Sequence, residues 1–433
     1  MPHRVATARW RPAGAWERVP RNVRTLLIKS FLLNVAIYVS SGLIPAFLRE
    51  AGLDVVRIGL FFSVSTVAGF VAGVSGGFLA DRVGRRRVVV ASVVFHAVGT
   101  AFFIIARSWV GLIAVALLWG FGNLDRAASS AITADATHEG NRGSFYGLLL
   151  SAPPLAGIIA PIAGGLIADR WGSGPAIALS LPFFALAIWV ALRLRDSKPV
   201  APAPAAPIPT EEPSSPALVQ TPTGRPRFSE LWHFVAGRGS ASAWAVMGMW
   251  LIAGIEMGLS RPLIALYLQD RFGADYATIA LNATLQFAAT AAVTLAGGFL
   301  ADRIGRRGVI LVTQFFSAAL YTLQPLTGVI AVFFGLRTVT SGVINLAVPA
   351  WEAVTVEVAP TRLRASYTGL ATSGFSVGMA IGGALAGLVY GLSPALLFHA
   401  TAAMELSILV IAGFWAVPAK ASPGESQAMR SKA

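Results

Sequence analysis

The sequence contains no cysteine, and only 12% of its 433 residues are charged. Without cysteine the chain can form neither a disulfide nor a thiolate metal site, and it has no cysteine nucleophile. Soluble domains carry roughly 25% charged residues, so a chain of this length has too few charges to keep its surface in water. The hydrophobic fraction of 55% and the mean hydropathy of +0.67 therefore predict a membrane protein with several spans.

Signatures of catalysis are also missing from the sequence. It contains no Walker loop, so direct use of ATP has no support. No Ser-His-Asp set or carboxylate pair stands in a catalytic context. His96 and His399 fall in apolar segments without a second ligand at metal spacing. We therefore expect no enzymatic activity, no metal and no cofactor.

Long apolar segments are the main feature that the sequence does contain. A spanning helix needs about 20 apolar residues, and segments of this kind occur in two groups of six with a polar break between them. The pattern predicts an all-α membrane protein with twelve transmembrane helices. The predicted spans are 26–48, 58–80, 88–106, 109–133, 144–168, 175–194, 241–268, 277–301, 308–326, 329–355, 365–390 and 394–417.

The positive charges fall mainly on one side of these predicted spans. An even number of spans places both termini on the same side, and the segments of that side hold 26 of the 34 Lys and Arg residues when Lys29 is counted with the N-terminal arm. The loops of the opposite side hold five. The positive-inside rule makes the rich side cytoplasmic. Topology thus explains the net charge of +14, and no nucleic-acid partner is expected.

The spans and the break divide the chain into five segments. A Pro-rich composition predicts extended or disordered chain in the linker, and apolar residues at helical spacing after Phe228 predict a short amphipathic helix. That helix lies on the cytoplasmic membrane surface or extends the seventh span. The segments are a cytoplasmic arm 1–25, a six-helix bundle 26–194, a cytoplasmic linker 195–240, a second six-helix bundle 241–417 and a cytoplasmic tail 418–433.

An internal repeat links the two groups of spans. Residues 76–86 recur at 297–307 with a single Val83 to Ile304 difference. The same offset also pairs Asp54 with Asp275. Ten identities in eleven positions indicate a duplication. Because each unit has an even number of spans, the two insert in the same orientation, and a substrate site is expected between them near the bilayer midplane.

The repeated loop resembles the signature of the major facilitator superfamily. The resemblance covers the whole chain, and it implies two pseudo-symmetric six-helix bundles and secondary transport. It also implies that the loop latches the outward-facing state, with its Asp near the N-terminus of a neighbouring helix; the simpler alternative is a positively charged anchor. The residues carried over are Gly77, Asp81, Arg82, Gly84, Arg85, Arg86, Gly298, Asp302, Arg303, Gly305 and Arg306.

A second motif in the fifth predicted span is similar to the antiporter motif of the same superfamily. Gly147, Pro161, Gly164 and Gly165 match it, whereas Ala156 and Ala160 replace two of its glycines. Small residues at these positions still permit close helix packing. The motif indicates the twelve-span drug:H⁺ antiporter-like branch. An Arg that the family carries early in the fourth span is absent here.

Ionisable residues inside the predicted spans are the candidates for coupling. Each costs about 2.5–3.5 kcal/mol by insertion scales, so such residues are seldom accidental. Glu256 and Asp125 lie nearest the centres of their spans and are the candidate proton carriers. The alternative is that either acid is permanently paired with Arg126 or Arg261. Glu405 is expected to be structural, and for Arg337 both roles stay open.

Polar stripes on the fourth and tenth predicted spans indicate a cavity shared by the two bundles. Each stripe follows helical spacing, and it recurs in the repeat. Asn34 and Tyr38 on the first span and Arg261 on the seventh complete the set. The substrate-cavity candidates are Asn34, Tyr38, Trp119, Asn123, Arg126, Arg261, Ser341, Asn345 and Glu352.

The sequence as a whole predicts a secondary transporter that acts by alternating access. We expect proton-coupled export of a small organic or amphipathic molecule by a monomer in a bacterial inner membrane. The alternatives are a symporter or uniporter that takes up a sugar or organic acid, with Arg126 and Arg261 as an anion clamp, and a lipid flippase. The expected partners are the substrate, protons and the lipid bilayer.

Overall fold

A computed structural model describes residues 19–137, 142–195, 228–237 and 241–416. The N-terminal arm, most of the linker and the C-terminal tail lie outside these residues. We call residues 19–195 the first half and residues 228–416 the second half. The helices of the first half are α1 Arg21–Ser41, α2 Ile44–Glu50, α3 Val55–Val83, α4 Arg85–Ile105, α5 Trp109–Phe121, α6 Asp125–Ala136, α7 Arg142–Trp171, α8 Ser173–Ala178 and α9 Ser180–Ala191.

The second half repeats this order of helices. Two short 3-10 turns, Arg261–Leu263 and Gln324–Leu326, follow its second and fifth helices. A π-helical turn, Ala412–Ala416, follows the last helix. The helices are α10 Phe228–Ala236, α11 Ala241–Ser260, α12 Ile264–Phe272, α13 Tyr276–Ile304, α14 Arg306–Leu323, α15 Ile330–Val358, α16 Arg364–Leu392 and α17 Leu396–Ile411.

Membrane-spanning length and hydropathy are met by eleven segments of the described residues. This confirms the prediction of an all-helical, multi-pass membrane protein. The helix that corresponds to the eighth predicted span is α13, which has 29 residues and is not one of the eleven. A total of twelve spans therefore stays a prediction.

The repeat seen in the sequence is also present in the local geometry. The side chain of Asp54 accepts the backbone N–H of Arg57 at 2.8 Å and caps α3. Asp275, the repeat counterpart of Asp54, caps α13 by accepting the N–H of Thr278 at the same distance. Acceptors at this position satisfy helix N–H groups that otherwise lack a partner.

Glycine ends both helices that carry the repeated motif. Gly84 follows α3 with φ of 100°, and Gly305 follows α13 with φ of 83°. Only glycine adopts positive φ without steric cost, which explains why both copies of the motif keep it. The sharp turns place the arginines that follow at the start of α4 and α14.

Four predicted spans are interrupted in the described structure, and the sixth span divides at Leu179 between α8 and α9. The first span breaks after Ser41, where α2 carries Pro45 in its first turn. The seventh bends at the 3-10 turn that contains Pro262. The fourth is divided between α5 and α6 beside Gly122, where a Cβ atom would lie 1.8 Å from the His96 ring. The equivalent helix of the second half, α15, is continuous.

Helix α10 packs against the second half. Leu231 and Val235 are buried, and the Phe234 ring meets Tyr367 edge to face with centroids 5.7 Å apart. The Trp244 indole N–H donates to the carbonyl of Val235 at 2.9 Å. The predicted short helix therefore exists, and it ends at Ala236, before α11 begins. Leu231 and Val235 join the apolar core of the second half, and the position of the helix on the membrane surface stays a prediction.

Candidate transport site

The two halves are joined near one end of the helices. We call this end the distal side; it carries Glu50 and Tyr276. The opposite end, the terminal side, carries the repeated loops. On the distal side the Arg49 guanidinium donates to both oxygens of Asp270, at 2.5 and 3.0 Å. The Tyr390 hydroxyl donates to the same carboxylate at 2.5 Å. This cluster ties α2 of the first half to α12 and α16 of the second.

A second distal contact uses the start of α13. The carboxylate of Asp169, near the end of α7, accepts the backbone N–H groups of Tyr276 and Ala277 at 2.8 and 3.0 Å. Glu50 accepts the hydroxyls of Tyr276 and, at 2.5 Å, Ser173. Carboxylates are favourable at a helix N-terminus because it carries a partial positive charge and unpaired N–H groups. The first half therefore holds α13 through two acids.

Closer to the centre, backbone contacts also join the halves. Together with the Arg49 and Asp169 contacts they form what we call the distal seal. Ser63 donates its hydroxyl to the carbonyl of Ala380 at 2.7 Å. A Cβ atom on Gly59 would lie 2.5 Å from the carbonyl oxygen of Gly383, so α3 and α16 approach as closely as their backbones allow. Among the described residues, the Ser63 contact is the hydrogen bond between the halves that lies farthest from the distal end. All the others lie nearer that end.

The fifth-span motif takes part in these contacts. On Gly164 an added Cβ would lie 1.9 Å from the carbonyl oxygen of Val39, and on Gly165 it would lie 2.6 Å from that of Tyr276. Gly164 therefore packs α7 against α1 within the first half, and Gly165 packs α7 against α13 across the halves. Pro161 is accommodated inside α7, and a Cβ added to Gly147 would meet open space.

Two cavities lie toward the terminal side, one within each half. A cleft of about 530 Å³ lies there between α14, α15 and α16, lined by Arg306, Pro349, Glu352, Ala353, Val356, Glu357 and Arg364. A groove of about 350 Å³ follows α3 and α5 just below the Ser63 contact. Its lining is apolar apart from one hydroxyl and consists of Ser63, Val64, Val67, Ala68, Val71, Leu117 and Phe121.

A buried ion pair occupies the interior of the first half. Lys29 of α1 is only 4% exposed and pairs with Asp125 of α6, which also accepts the Ser129 hydroxyl at 3.2 Å. Assigning Lys29 to the wet N-terminal arm was therefore wrong, because the lysine lies two helical turns inside α1. Asp125 is paired with neither Arg126 nor Arg261. An apolar run that contains a single lysine was the signal available in the sequence.

The second half contains a buried polar cluster without an ion pair among its described residues. Glu256 of α11 is 9% exposed and faces the Tyr321 hydroxyl of α14 and the Arg337 guanidinium of α15. Arg337 is 7% exposed and donates to the side-chain oxygen of Gln286 at 3.1 Å. Its Nε has no partner in the described part of the chain. The cluster therefore holds a guanidinium and a carboxyl group without joining them directly.

Glu405 is a second buried acid of the second half. It is 1% exposed and accepts a hydrogen bond from the amide of Gln314, which joins α17 to α14. Its carboxyl group lies close enough to Glu256 for the two acids to act on each other electrostatically. The structural role expected for Glu405 stays a prediction.

Several predicted cavity residues contact their own half instead of open space. The Trp119 indole donates to the Thr100 hydroxyl at 3.2 Å, and its ring packs against Phe61 and Phe103. Ser341 and Asn345 both lie within hydrogen-bond distance of Thr290 on α13, at 3.2 and 3.1 Å.

The remaining predicted cavity residues lie on accessible surfaces. Asn34 is half-buried and donates to the carbonyl of Ser30, and Asn123 is exposed and donates to that of Gly120. The ring of Tyr38 packs against that of Phe287 across the halves, with centroids 4.6 Å apart and the planes tilted by 43°. Three charged side chains are exposed: Arg126, Arg261 and Glu352.

The repeated loop forms matching contacts within each half. Arg85 pairs with Asp135, and Arg306 pairs with Glu357. Arg86 donates to the carbonyl of Leu192 at 2.6 Å, and Arg307 donates to that of Gly413. In the two arginine–carbonyl contacts, the donors Arg86 and Arg307 and the acceptors Leu192 and Gly413 occupy equivalent positions of the repeat. The duplication predicted from the sequence thus extends to side-chain contacts at the terminal side.

The acidic residue of the first loop is accessible. Asp81 is exposed and, within the described chain, contacts no residue of the second half, while Arg82 lies over the Phe78 ring at 4.0 Å. Gly77 packs near Ala127. In the second loop Arg303 is exposed, and the surroundings of Gly298 and the side chain of Asp302 lie outside what the structure describes.

Comparison with known proteins identifies the family. The family model described as Major Facilitator Superfamily matches residues 26–260 and 246–432. The chain belongs to the major facilitator superfamily. This confirms the resemblance carried by the repeated loop, and it places the protein among transporters, not enzymes.

Two relatives agree with this membership of the major facilitator superfamily. The multidrug resistance protein MdtH of Photorhabdus laumondii is 24% identical over 383 residues, which cover 86% of this chain and 87% of MdtH. An uncharacterized MFS-type transporter of Methanocaldococcus jannaschii, MJ1560, is 22% identical over 84% of this chain and 90% of its own. The predicted likeness to the drug:H⁺ antiporter-like branch is thus confirmed.

A solved structure shares the fold of this superfamily member. It is a bacterial homologue of the human lysosomal transporter Spinster in an inward-facing and unoccupied conformation, with a TM-score of 0.67 and 17% identity over 90% of this chain and 93% of the other. The likeness confirms a major facilitator arrangement of helices. The chain is therefore a multi-pass membrane transporter for a small molecule.

Proposed function

We propose that the protein is a secondary active transporter that exports small organic or amphipathic molecules in exchange for protons. Its relative MdtH is named a multidrug resistance protein, which supports drug-like substrates. The distal seal supports alternating access, because the hydrogen bonds between the halves, among the described residues, are gathered toward one end of the helices.

The same proposal fixes the architecture and orientation. Twelve spans form two six-helix bundles, 26–194 and 241–417, joined by the linker 195–240. The bias of Lys and Arg toward the terminal side makes that side cytoplasmic, so the described conformation is open to the cytoplasm. The protein acts as a monomer in a bacterial inner membrane. In the opposite conformation Asp81 meets a helix N-terminus of the second half and latches the cytoplasmic side.

The observation that carries proton coupling is the position of Glu256. Its carboxyl group is almost completely buried, and no ion pair of the described residues involves it. A buried carboxyl group without an ion pair is stable in its neutral form, and it ionises when water or a cation reaches it. Arg337 and Tyr321 lie beside it, so a small movement of α15 or α14 during transport changes the stability of its charge.

Glu405 offers a matched control for this role. Both acids are buried in the second half and act on each other electrostatically, but Glu405 is held by the amide of Gln314 between α14 and α17, whereas Glu256 lies beside Arg337. A proton carrier has to exchange with the cavity, whereas a packing residue does not. The proposal therefore assigns the coupling proton to Glu256 alone.

Transport in proteoliposomes with an imposed pH gradient tests the proposal. A panel of organic substrates is offered to the wild type, to Glu256→Gln and to Glu405→Gln. We expect Glu256→Gln to lose gradient-driven transport by at least 100-fold while still exchanging substrate across the membrane. Glu405→Gln should keep at least a third of the wild-type rate. Full gradient-driven transport by Glu256→Gln would remove Glu256 from the mechanism.

A further inference from the structure

Two arginines of the cavity have no acidic partner. Among the described residues, no ion pair or side-chain hydrogen bond involves the guanidinium of Arg126 or Arg261, and both residues are exposed. Lys29 provides the contrast, because it is buried and neutralised by Asp125. Inserting a charged side chain between transmembrane helices costs about 2.5–3.5 kcal/mol, and a counter-charge offsets that cost. The described chain provides no counter-charge for Arg126 or Arg261.

Arg261 lies where the two halves meet. It acts electrostatically on Tyr38 of the first half and on Arg337 of the second. Arg126 and Ser130 are exposed on α6, a helix that packs on α1, α3, α4 and α7 within the first half.

Arg261 lies at the same depth as the apolar groove. It precedes Phe272, the distal end of α12, by about three helical turns, and Val67 follows Val55, the distal end of α3, by about the same length. At 1.5 Å per residue both positions are about 17 Å from the distal side. Phe121, at the end of α5, is at a similar depth on the same wall as Val67. Arg126 lies about 8 Å nearer the terminal side.

The remaining charges of this region do not offset the two guanidinium groups. Of the described acids nearby, Asp125 is paired with Lys29 and Glu256 is buried beside Arg337. Glu352 and Glu357 lie at the cleft on the terminal side, and Glu357 is paired with Arg306. The inner cavity therefore combines exposed positive charge with an apolar wall.

We propose that the substrate of this site is an amphipathic organic anion. Its carboxylate or sulfonate binds Arg261, whose planar fork matches both groups. Its apolar part lies in the groove lined by Val64, Val67 and Phe121. Arg126 attracts the anion along the path from the cleft. This inference rests on the proposed transport function, because it names the class of molecule that the cavity carries.

A pair of probes with the same ring and opposite charge tests the inference. Binding of 2-naphthalenesulfonate and of 2-naphthyltrimethylammonium to the purified full chain is measured by calorimetry, independently of transport. We expect the sulfonate to bind at least tenfold more tightly. Arg261→Gln should weaken sulfonate binding at least tenfold and leave the ammonium unchanged or tighter, and Arg261→Lys should recover part of the loss. Arg126→Gln should have a smaller effect that fades at high salt.

Arg107→Gln is the matched control, since Arg107 is an exposed arginine of the distal side that donates to the carbonyl of Ile104. It should leave both affinities unchanged. Tighter binding of the ammonium, no binding of either probe, or equal sulfonate affinity in Arg261→Gln and the wild type would each overturn the inference. If the inference of an anionic substrate fails but a cation or neutral compound is transported in exchange for protons, the proposed function still holds. Sulfonate binding without any transport would instead reject the proposed function.

Discussion

The two halves share a backbone plan but differ in the charges that they bury. In the first half Lys29 and Asp125 neutralise each other between α1 and α6. In the second half Trp250 of α11 takes the position of Lys29 in the repeat, and it donates its indole N–H to the Thr355 hydroxyl of α15 at 2.9 Å. A neutral hydrogen bond thus joins the equivalent helices where the first half uses an ion pair.

The buried cluster of Glu256 and Arg337 in the second half has apolar residues at the equivalent positions of the first half. The repeat offset places Val35 opposite Glu256 and Ala116 opposite Arg337. The duplicated unit therefore supplied helices, caps and glycine turns, while each copy acquired its own ionisable groups. A complete ion pair stabilises packing, whereas a carboxyl group that is near an arginine but not bonded to it can change its charge.

Breaking the ion pair of the first half should have the largest effect on stability. Asp125→Ala leaves Lys29 buried without a counter-charge, and removing one partner of a buried pair costs about 3–5 kcal/mol. We expect a strong loss of folded protein, measured by thermal unfolding and by size-exclusion chromatography in detergent. The double variant Lys29→Met with Asp125→Leu should recover most of that stability, because apolar pairs often replace buried ion pairs without loss.

The double variant also tests the functional difference between the halves. If the first half is a scaffold, the double variant should still couple transport to the pH gradient. A stable double variant that has lost coupling would show that the Lys29–Asp125 pair takes part in proton transfer. The division of roles between the halves would then be wrong.

A smaller effect is expected where the halves meet on the distal side. Asp169 near the end of α7 caps α13, whereas Tyr390 near the end of the equivalent helix α16 donates to Asp270 within the second half. Asp169→Asn removes the negative charge at the helix N-terminus, which is typically worth about 1 kcal/mol. We expect the conformation open to the distal side to become about fivefold more populated.

The lack of cysteine makes this shift easy to measure. A cysteine introduced at Ala353 in the cleft becomes the single reactive thiol of the protein, and its labelling rate reports how open the terminal side is. Asp169→Asn should slow the labelling. Asp54→Asn alters an acid that contacts only its own helix in the described structure, so labelling should not change. An equal rate in wild type and Asp169→Asn would show that the distal cap does not control the conformation.

The smallest effect is expected at the helix caps. The hydroxyl and the backbone N–H of Thr278 donate to Asp275 and hold the pKa of that carboxyl below its usual range. Asp275→Ala should cost about 1 kcal/mol and lower the thermal midpoint slightly. Because the folded pKa is lowered, the stabilisation is present above the usual value of about 3.9 and is lost as the pH falls through the lower folded value.

The pH dependence gives this last prediction its check. The difference in thermal midpoint between wild type and Asp275→Ala should be constant at pH 6 and above and should shrink below a pH of about 4. Asp54→Ala offers the matched variant in the first half. A difference that grows on acidification would contradict the capping role of the ionised carboxylate.

The sequence predicted the helices well because hydropathy and the repeated loop are strong, local signals. Residues 76–86 and 297–307 identified both the duplication and the family. The positions of the N-caps Asp54 and Asp275 follow from the same offset. Breaks within spans were not predicted, because the interruption at Gly122 depends on contact with His96 of another helix, and hydropathy averages over such local events.

The candidate site was predicted less completely. Spacing along one helix selected Trp119 for the cavity, but helical spacing does not tell which face meets the cavity and which meets α4. Lys29 was missed because a residue near a span end looks wet in a one-dimensional pattern. The distal acids Glu50 and Asp169 become informative only when the partner helix α13 is known.

The distal seal has a practical consequence for tools that recognise this protein. Arg49, Asp270 and the Asp169–Tyr276 cap form one continuous surface only when both halves are in contact. An antibody fragment raised against that surface would bind one conformation and exclude the other. Such a fragment would stop the transport cycle from the distal side without entering the substrate path, and its affinity would report which conformation dominates.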